Sequence, residues 1–157
     1  MTRKDANSIA GVNSVALSSL TTGNAVSLPD YGRSRLEDIG FMTAMTLVVM
    51  GNYAQTGHFG GPLAYTPYTV TTHLLGPEHG GLRFDYRRPK HPYADRFMLA
   101  GGHNAPATYA LWMIMGEALA RKHAGTGDDR YSVNPDQAML PIDALGFRRG
   151  KAALRSL

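Results

Sequence analysis

Two turns in this chain set a histidine among glycines. The first reads Thr56-Gly57-His58-Phe59-Gly60-Gly61-Pro62-Leu63, and the second reads Ala100-Gly101-Gly102-His103-Asn104-Ala105-Pro106. Glycine lets a backbone turn sharply and lets a ligand come close. Imidazole is the side chain whose charge moves most easily near neutral pH. A histidine held in such a turn is placed to donate, accept or pass a proton at a bound molecule. His58 and His103 are therefore the candidate catalytic residues, although each reads equally well as a turn residue at a helix end. The remaining histidines carry less. His73 and His79 flank a loop and offer two ligands without an H-E-x-x-H spacing, so a metal site is not indicated. His123 suits a helix C-terminus by its interaction with the dipole, and His91 lies in a polar loop between Lys90 and Pro92. Nucleophile and phosphate-loop signatures are missing: the chain has no cysteine, no G-x-S-x-G, no G-x-x-x-x-G-K-[ST] and no G-x-G-x-x-G.

The elements that must position these turns follow from the flanking pattern. Ser34-Arg35-Leu36-Glu37 has the form of a capping box and predicts a helix from there to Gln55. Ile39, Met42, Met45, Leu47, Val49, Met50 and Tyr53 supply its apolar surface, and its methionine-rich face is expected in the core. Gly57 is expected to stop this helix in the C′ manner. Pro62 suits the first turn of a second helix, from about Leu63 to Leu75. Residues 76–94 hold three prolines and three glycines and read as a long surface loop, with at most an extended piece over 82–86. Arg96-Phe97-Met98-Leu99-Ala100 predicts a short buried strand, Gly101-Gly102 the turn leaving it, and Ala105 to His123 a helix ended by Gly125 and Gly127. In such a strand–turn–helix unit ligands bind at the strand's carboxyl end, where His103 lies. Ile142 to Leu157 is a weaker helical candidate carrying Arg148, Arg149, Lys151 and Arg155.

The expected class is thus α/β, helix-rich in this chain, with part of a parallel sheet flanked by helices. One strand leaves its backbone groups unpaired, so the sheet is expected to be completed from elsewhere. Residues 1–33 form an irregular arm and residues 34–157 the domain. The length of 157 residues suits one domain, and an apolar share of 43% is a globular value. The net charge of +4 is mild; it suits anionic substrates or plain solubility and does not indicate nucleic acid. The polar start predicts no secretory signal, and the longest apolar run, Leu47-Val48-Val49-Met50, is far short of a membrane span. A cytoplasmic chain is expected.

Gly57-His58-Phe59-Gly60-Gly61-Pro62-Leu63, with Pro67 beyond it, resembles the SGHPGMPLGMAP stretch of transketolases. Asp95 to His103, followed by Tyr109-Ala110-Leu111, resembles their DRFVLSNGHGSMLLYSL stretch. The likeness covers about residues 34–123. It implies a thiamine-diphosphate enzyme that transfers a two-carbon ketol or acyl unit, with this chain as the N-terminal part of its diphosphate-binding domain. By this match His58 touches substrate hydroxyls, while His103 and Gly102 lie against the cofactor. An E1-type 2-oxo acid dehydrogenase or decarboxylase component has related turns, and a non-catalytic structural subunit of such an assembly is the remaining alternative. The family holds magnesium and diphosphate through a G-D-G followed by an asparagine. Here Gly127-Asp128-Asp129 lacks the second glycine, with Asn134 the nearest asparagine. The pyrimidine-binding domain is missing as well. The resemblance therefore implies complementary subunits that bring the G-D-G…N motif and that domain, a sugar phosphate or 2-oxo acid as substrate, and metal ligands from another chain.

Overall fold

A computed structural model of the chain describes residues 32–148. Most of the 1–33 arm and residues 149–157 of the basic C-terminal candidate lie outside them. Three α-helices dominate: α1 (Arg33–Ala54), α2 (Gly60–Leu74) and α3 (Ala105–Thr126), with single-turn 3-10 elements at Pro77–His79, Gly102–Asn104 and Asp129–Tyr131 and a longer one at Pro141–Gly146.

Helix α1 begins two residues earlier than the capping box required. Gly32, in an extended conformation, is its N-cap, and the Leu36 amide donates to the Gly32 carbonyl at 3.1 Å. Ser34 is consequently inside the helix, and Glu37 pairs with Arg33 at 2.9 Å. The stop is also displaced. Gln55 takes the left-handed conformation (φ 53°) and its N–H closes on the Gly51 carbonyl, while Gly57 (φ 126°) shapes the turn that follows. Helix α3 ends as glycine C-caps usually do, with Gly127 at φ 66° donating to the His123 carbonyl at 2.8 Å and Gly125 still helical.

Each of the three helices contacts the other two. Leu47 and Met50 of α1 pack with Ala107, Ala110 and Met113 of α3, and Phe59, Met139 and Phe147 close over them. Val70 and Leu74 of α2 pack with Leu111 and Met115 of α3, flanked by Leu36, Ile39 and Trp112. The segment after α3 returns to this core: Ala138 is buried, and the Met139 carbonyl lies so close to Gly116 that a Cβ there would collide with it.

The methionine-rich face of α1 divides. Met50 points inward beside Thr43 and Leu47, whereas Phe41, Met42, Met45, Val48, Val49 and Tyr53 are exposed. A helix apolar nearly all round is one built to be covered on both sides. Between its outer face and α3, Met42, Met45, Val49, Met113, Ile114 and Ala118 line an open apolar groove of about 510 Å³. Among the described residues no helix is long and apolar enough to cross a membrane.

The expected parallel sheet is not formed: the described residues contain no strand. Residues 96–100 do run without helix, and their side chains alternate, with Phe97 and Leu99 half-buried and Met98 87% exposed. Among the described residues no backbone ladder forms along them, so the apolar alternation gives a strap across α2 and not a strand. The 76–94 loop is held at both ends. The Leu82 amide donates to the Thr72 carbonyl at 2.8 Å, and Arg83 and Asp95 exchange bonds of 2.8 and 2.9 Å.

Candidate functional site

The two Gly-His turns, more than forty residues apart in sequence, meet in the fold. The first forms as α1 ends at Gln55 and α2 begins at Gly60; Phe59 folds its ring back over Gly51, where a Cβ would stand 2.7 Å from it. The second forms as the 96–100 strap runs into the Gly102–Asn104 turn, whose Asn104 amide donates to the Gly101 carbonyl at 2.9 Å, and directly into α3. Contact between α2 and that turn brings Gly61 against His103 and Asn104.

A glycine from each turn lies beside the His103 ring. A Cβ on Gly61 would lie 3.1 Å from Nε2, and one on Gly101 would lie 3.0 Å from Cε1. Both are inside the roughly 3.5–4.0 Å of comfortable carbon contact. The imidazole therefore sits in a slot between two glycines, one from each turn. The ring is nonetheless solvent-exposed, and neither nitrogen bonds a described residue. Over Gly102 nothing comes within 4 Å of a Cβ position, so the backbone there is open to close approach. His58, three residues before Gly61, is exposed as well. Beside the second turn, Ala64, Tyr65 and Tyr68 of α2 and residues 97–100 line a cleft of about 440 Å³.

Asn104 belongs to the site and was not singled out from sequence. It is only 7% exposed, its Oδ1 has no partner among the described residues, and that atom would be struck by a Cβ on Gly61. A buried polar atom without a partner costs free energy that an apolar residue would spare. Its place after Gly-Gly-His was the only signal available.

The other histidines serve elsewhere. His73 is 3% exposed, bonds the Thr69 carbonyl through Nδ1 at 2.8 Å, and is ringed by Phe84, Phe97 and Trp112 at 4.8–6.2 Å between centroids. Burial holds its pKa below the ordinary histidine value, only partly offset by the bond to Thr69, so it is a neutral core residue. His79 lies 4.0 Å from Glu78, His91 accepts from the Tyr93 amide at 3.3 Å, and His123 approaches Asp129 at 3.4 Å. Among the described residues no three His, Asp or Glu side chains gather as metal ligands. The Gly127-Asp128-Asp129 run is occupied otherwise. Hydrogen bonds from the Arg130 side chain, then from its amide, hold the Asp128 carboxyl below its usual pKa.

Comparison of the chain with models of protein families, with curated proteins and with solved structures returns no match.

Proposed function

We propose that this chain is a subunit or piece of a transketolase-like thiamine-diphosphate enzyme that transfers a two-carbon ketol or acyl unit, contributing His58 and His103 to a site completed by partner chains. The observation that carries the reading is the slot: Gly61 of one turn and Gly101 of the other flank the exposed His103 ring. A pair of turns matched to one family by sequence alone had no obligation to meet. In this reading thiamine diphosphate, with magnesium held by another chain, supplies the carbanion chemistry. The residues of this chain orient and move protons. Glycine at 61 and 101 leaves the exposed His103 ring open to a ligand, and a donor or acceptor set beside the reacting group is what such a site requires. Gly102 leaves room for the bound group, and exposed His58 meets substrate hydroxyls, passing protons as bonds break and form.

The outer face of α1 supports the dependence on partners. Six large apolar residues there are exposed together, more than a lone surface helix carries without a neighbour. The same face is what a purely structural subunit would present, and the histidines separate the two readings. Reconstitution with complementary subunits, thiamine diphosphate and magnesium, followed by His58→Ala and His103→Ala, is the test. The catalytic reading expects each substitution to lower kcat/KM by about 10²–10⁴-fold. Unchanged turnover with both replaced leaves only the structural role.

A further inference from the structure

Gly61, which lies beside the His103 ring, opens a stripe along α2. Ala64, Tyr65 and Tyr68 follow it at three, four and seven residues, so they share its face of the helix. At about 1.5 Å of rise per residue they stand roughly 4–10 Å along the axis from the His103 contact. The 97–100 strap lies across from them and runs straight into the Gly101-Gly102-His103 turn. Between helix and strap is the cleft of about 440 Å³, within the roughly 300–1,000 Å³ of small-molecule sites. Both walls of the cleft therefore lead to the same imidazole.

Those walls are aromatic and uncharged. Tyr65 and Tyr68 stand edge to face at 5.9 Å between centroids, and Tyr68 lies 6.4 Å from Phe97. Phe97 is backed in turn by the buried His73 ring, edge-on at 4.8 Å, and His73 by Trp112 at 6.2 Å. A further ring entering the cleft would extend this series at the edge-on and offset geometries that aromatic pairs prefer. Met98, 87% exposed, adds a thioether, which also favours ring edges. No Lys, Arg, Asp or Glu is among the lining residues. A phosphate placed here would lose hydration against rings and gain no cation in return.

We propose that this cleft is a specificity pocket for the aromatic ring of a 2-oxo acid whose carbonyl lies at His103. Of the two substrate classes open to the proposed function, it selects the 2-oxo acid over the sugar phosphate. The substrate assignment rests on the proposed function; the ring pocket itself does not.

The test begins on the full chain alone. Phenylpyruvate is titrated while the ring resonances of Tyr65, Tyr68 and Phe97 are followed by NMR. Saturable shifts are expected, with intermolecular NOEs from the phenyl ring to Tyr68, and with pyruvate and ribose 5-phosphate bound at least about tenfold more weakly. Tyr68 is 57% exposed, so its substitution spares the fold. Tyr68→Ala should weaken phenylpyruvate about tenfold, and Tyr68→Phe should retain it. Absence of saturable shifts, equal affinity for pyruvate, or NOEs only to other parts of the chain overturns the pocket. Concentration-dependent broadening of these rings without ligand overturns it too, since a second copy of the chain then covers them. In the reconstituted assembly, Tyr68→Ala is expected to lower the ratio of kcat/KM for phenylpyruvate to that for pyruvate about tenfold. Turnover of a sugar phosphate and not of phenylpyruvate overturns the substrate class and leaves the enzyme reading standing. Failure of every reconstitution while the chain still binds phenylpyruvate through Tyr68 overturns the enzyme reading and leaves the pocket standing.

Discussion

Replacing Gly61 by alanine, with Gly60→Ala as its control, tests whether the two turns really share a slot. The two glycines are adjacent at the start of α2, so helix propensity favours alanine at both by at most about 1 kcal/mol. Their surroundings differ completely. Nothing lies within 4 Å of a Cβ on Gly60, whereas a Cβ on Gly61 would strike Asn104 Oδ1 and stand 3.1 Å from His103 Nε2. Asn104 is buried and cannot swing into solvent. Forcing a methyl into such a contact costs about 1–3 kcal/mol. Gly60→Ala is therefore expected to leave stability unchanged or raised by up to about 1 kcal/mol, and Gly61→Ala to lower it by about 1–2 kcal/mol. Urea denaturation of the two proteins measures the gap, and the Cε1–H resonance of His103 reports whether its ring has been displaced. Equal stabilities, together with an unmoved His103 resonance in Gly61→Ala, would refute the slot.

Other expectations follow from particular contacts. His73 is neutral in the fold because burial lowers its pKa. The unfolded chain therefore takes up a proton below about pH 6.5 that the folded chain refuses. Stability should be level above that pH and fall below it, by at most about 1.4 kcal/mol per pH unit from this group; His73→Leu should flatten that fall in urea denaturation at pH 5.5 and 7.5. Gly116→Ala should destabilise by about 1–3 kcal/mol, since its Cβ meets the Met139 backbone carbonyl, which cannot rotate away; thermal denaturation decides it. Leu111→Ala, at a fully buried position, should cost about 2–5 kcal/mol by chemical denaturation. Phe41→Glu with Val48→Glu, both on the exposed face of α1, should leave the stability of the chain within about 0.5 kcal/mol yet abolish its co-purification with complementary subunits. Retained co-purification would move the partner surface elsewhere.

The helices were legible because their signals are local. Apolar spacing along 33–54 and 105–126, Pro62 inside the first turn of α2 and Gly127 after α3 each act within one turn of helix. Their ends were read less well for equally local reasons. The Ser34–Glu37 pattern is satisfied only if Ser34 is the N-cap, and Arg33 captures Glu37 instead. Gln55 adopts the left-handed cap that Gly57, two residues on, was expected to supply. The strand at 96–100 failed because pairing is not a property of the segment: alternation of Phe97, Met98 and Leu99 can specify an extended chain, but only a neighbouring strand makes a sheet. Exposure of Met42 and Met45 was hidden for a related reason, since periodicity marks apolar faces without saying which of two is covered. In the site, the His58 and His103 turns were visible from glycine spacing. Their meeting through Gly61 and the burial of Asn104 are long-range contacts with no local mark.

The most direct measurement of the central claim is a double-mutant cycle on the reconstituted assembly, comparing kcat/KM for His58→Ala, His103→Ala and the pair. Residues that act together on one reacting molecule are strongly non-additive. The double variant is therefore expected to lose little more than the worse single variant, with each single variant down by about 10²–10⁴-fold. Wild-type kcat/KM in all three variants would contradict the claim that the two Gly-His turns form one working site.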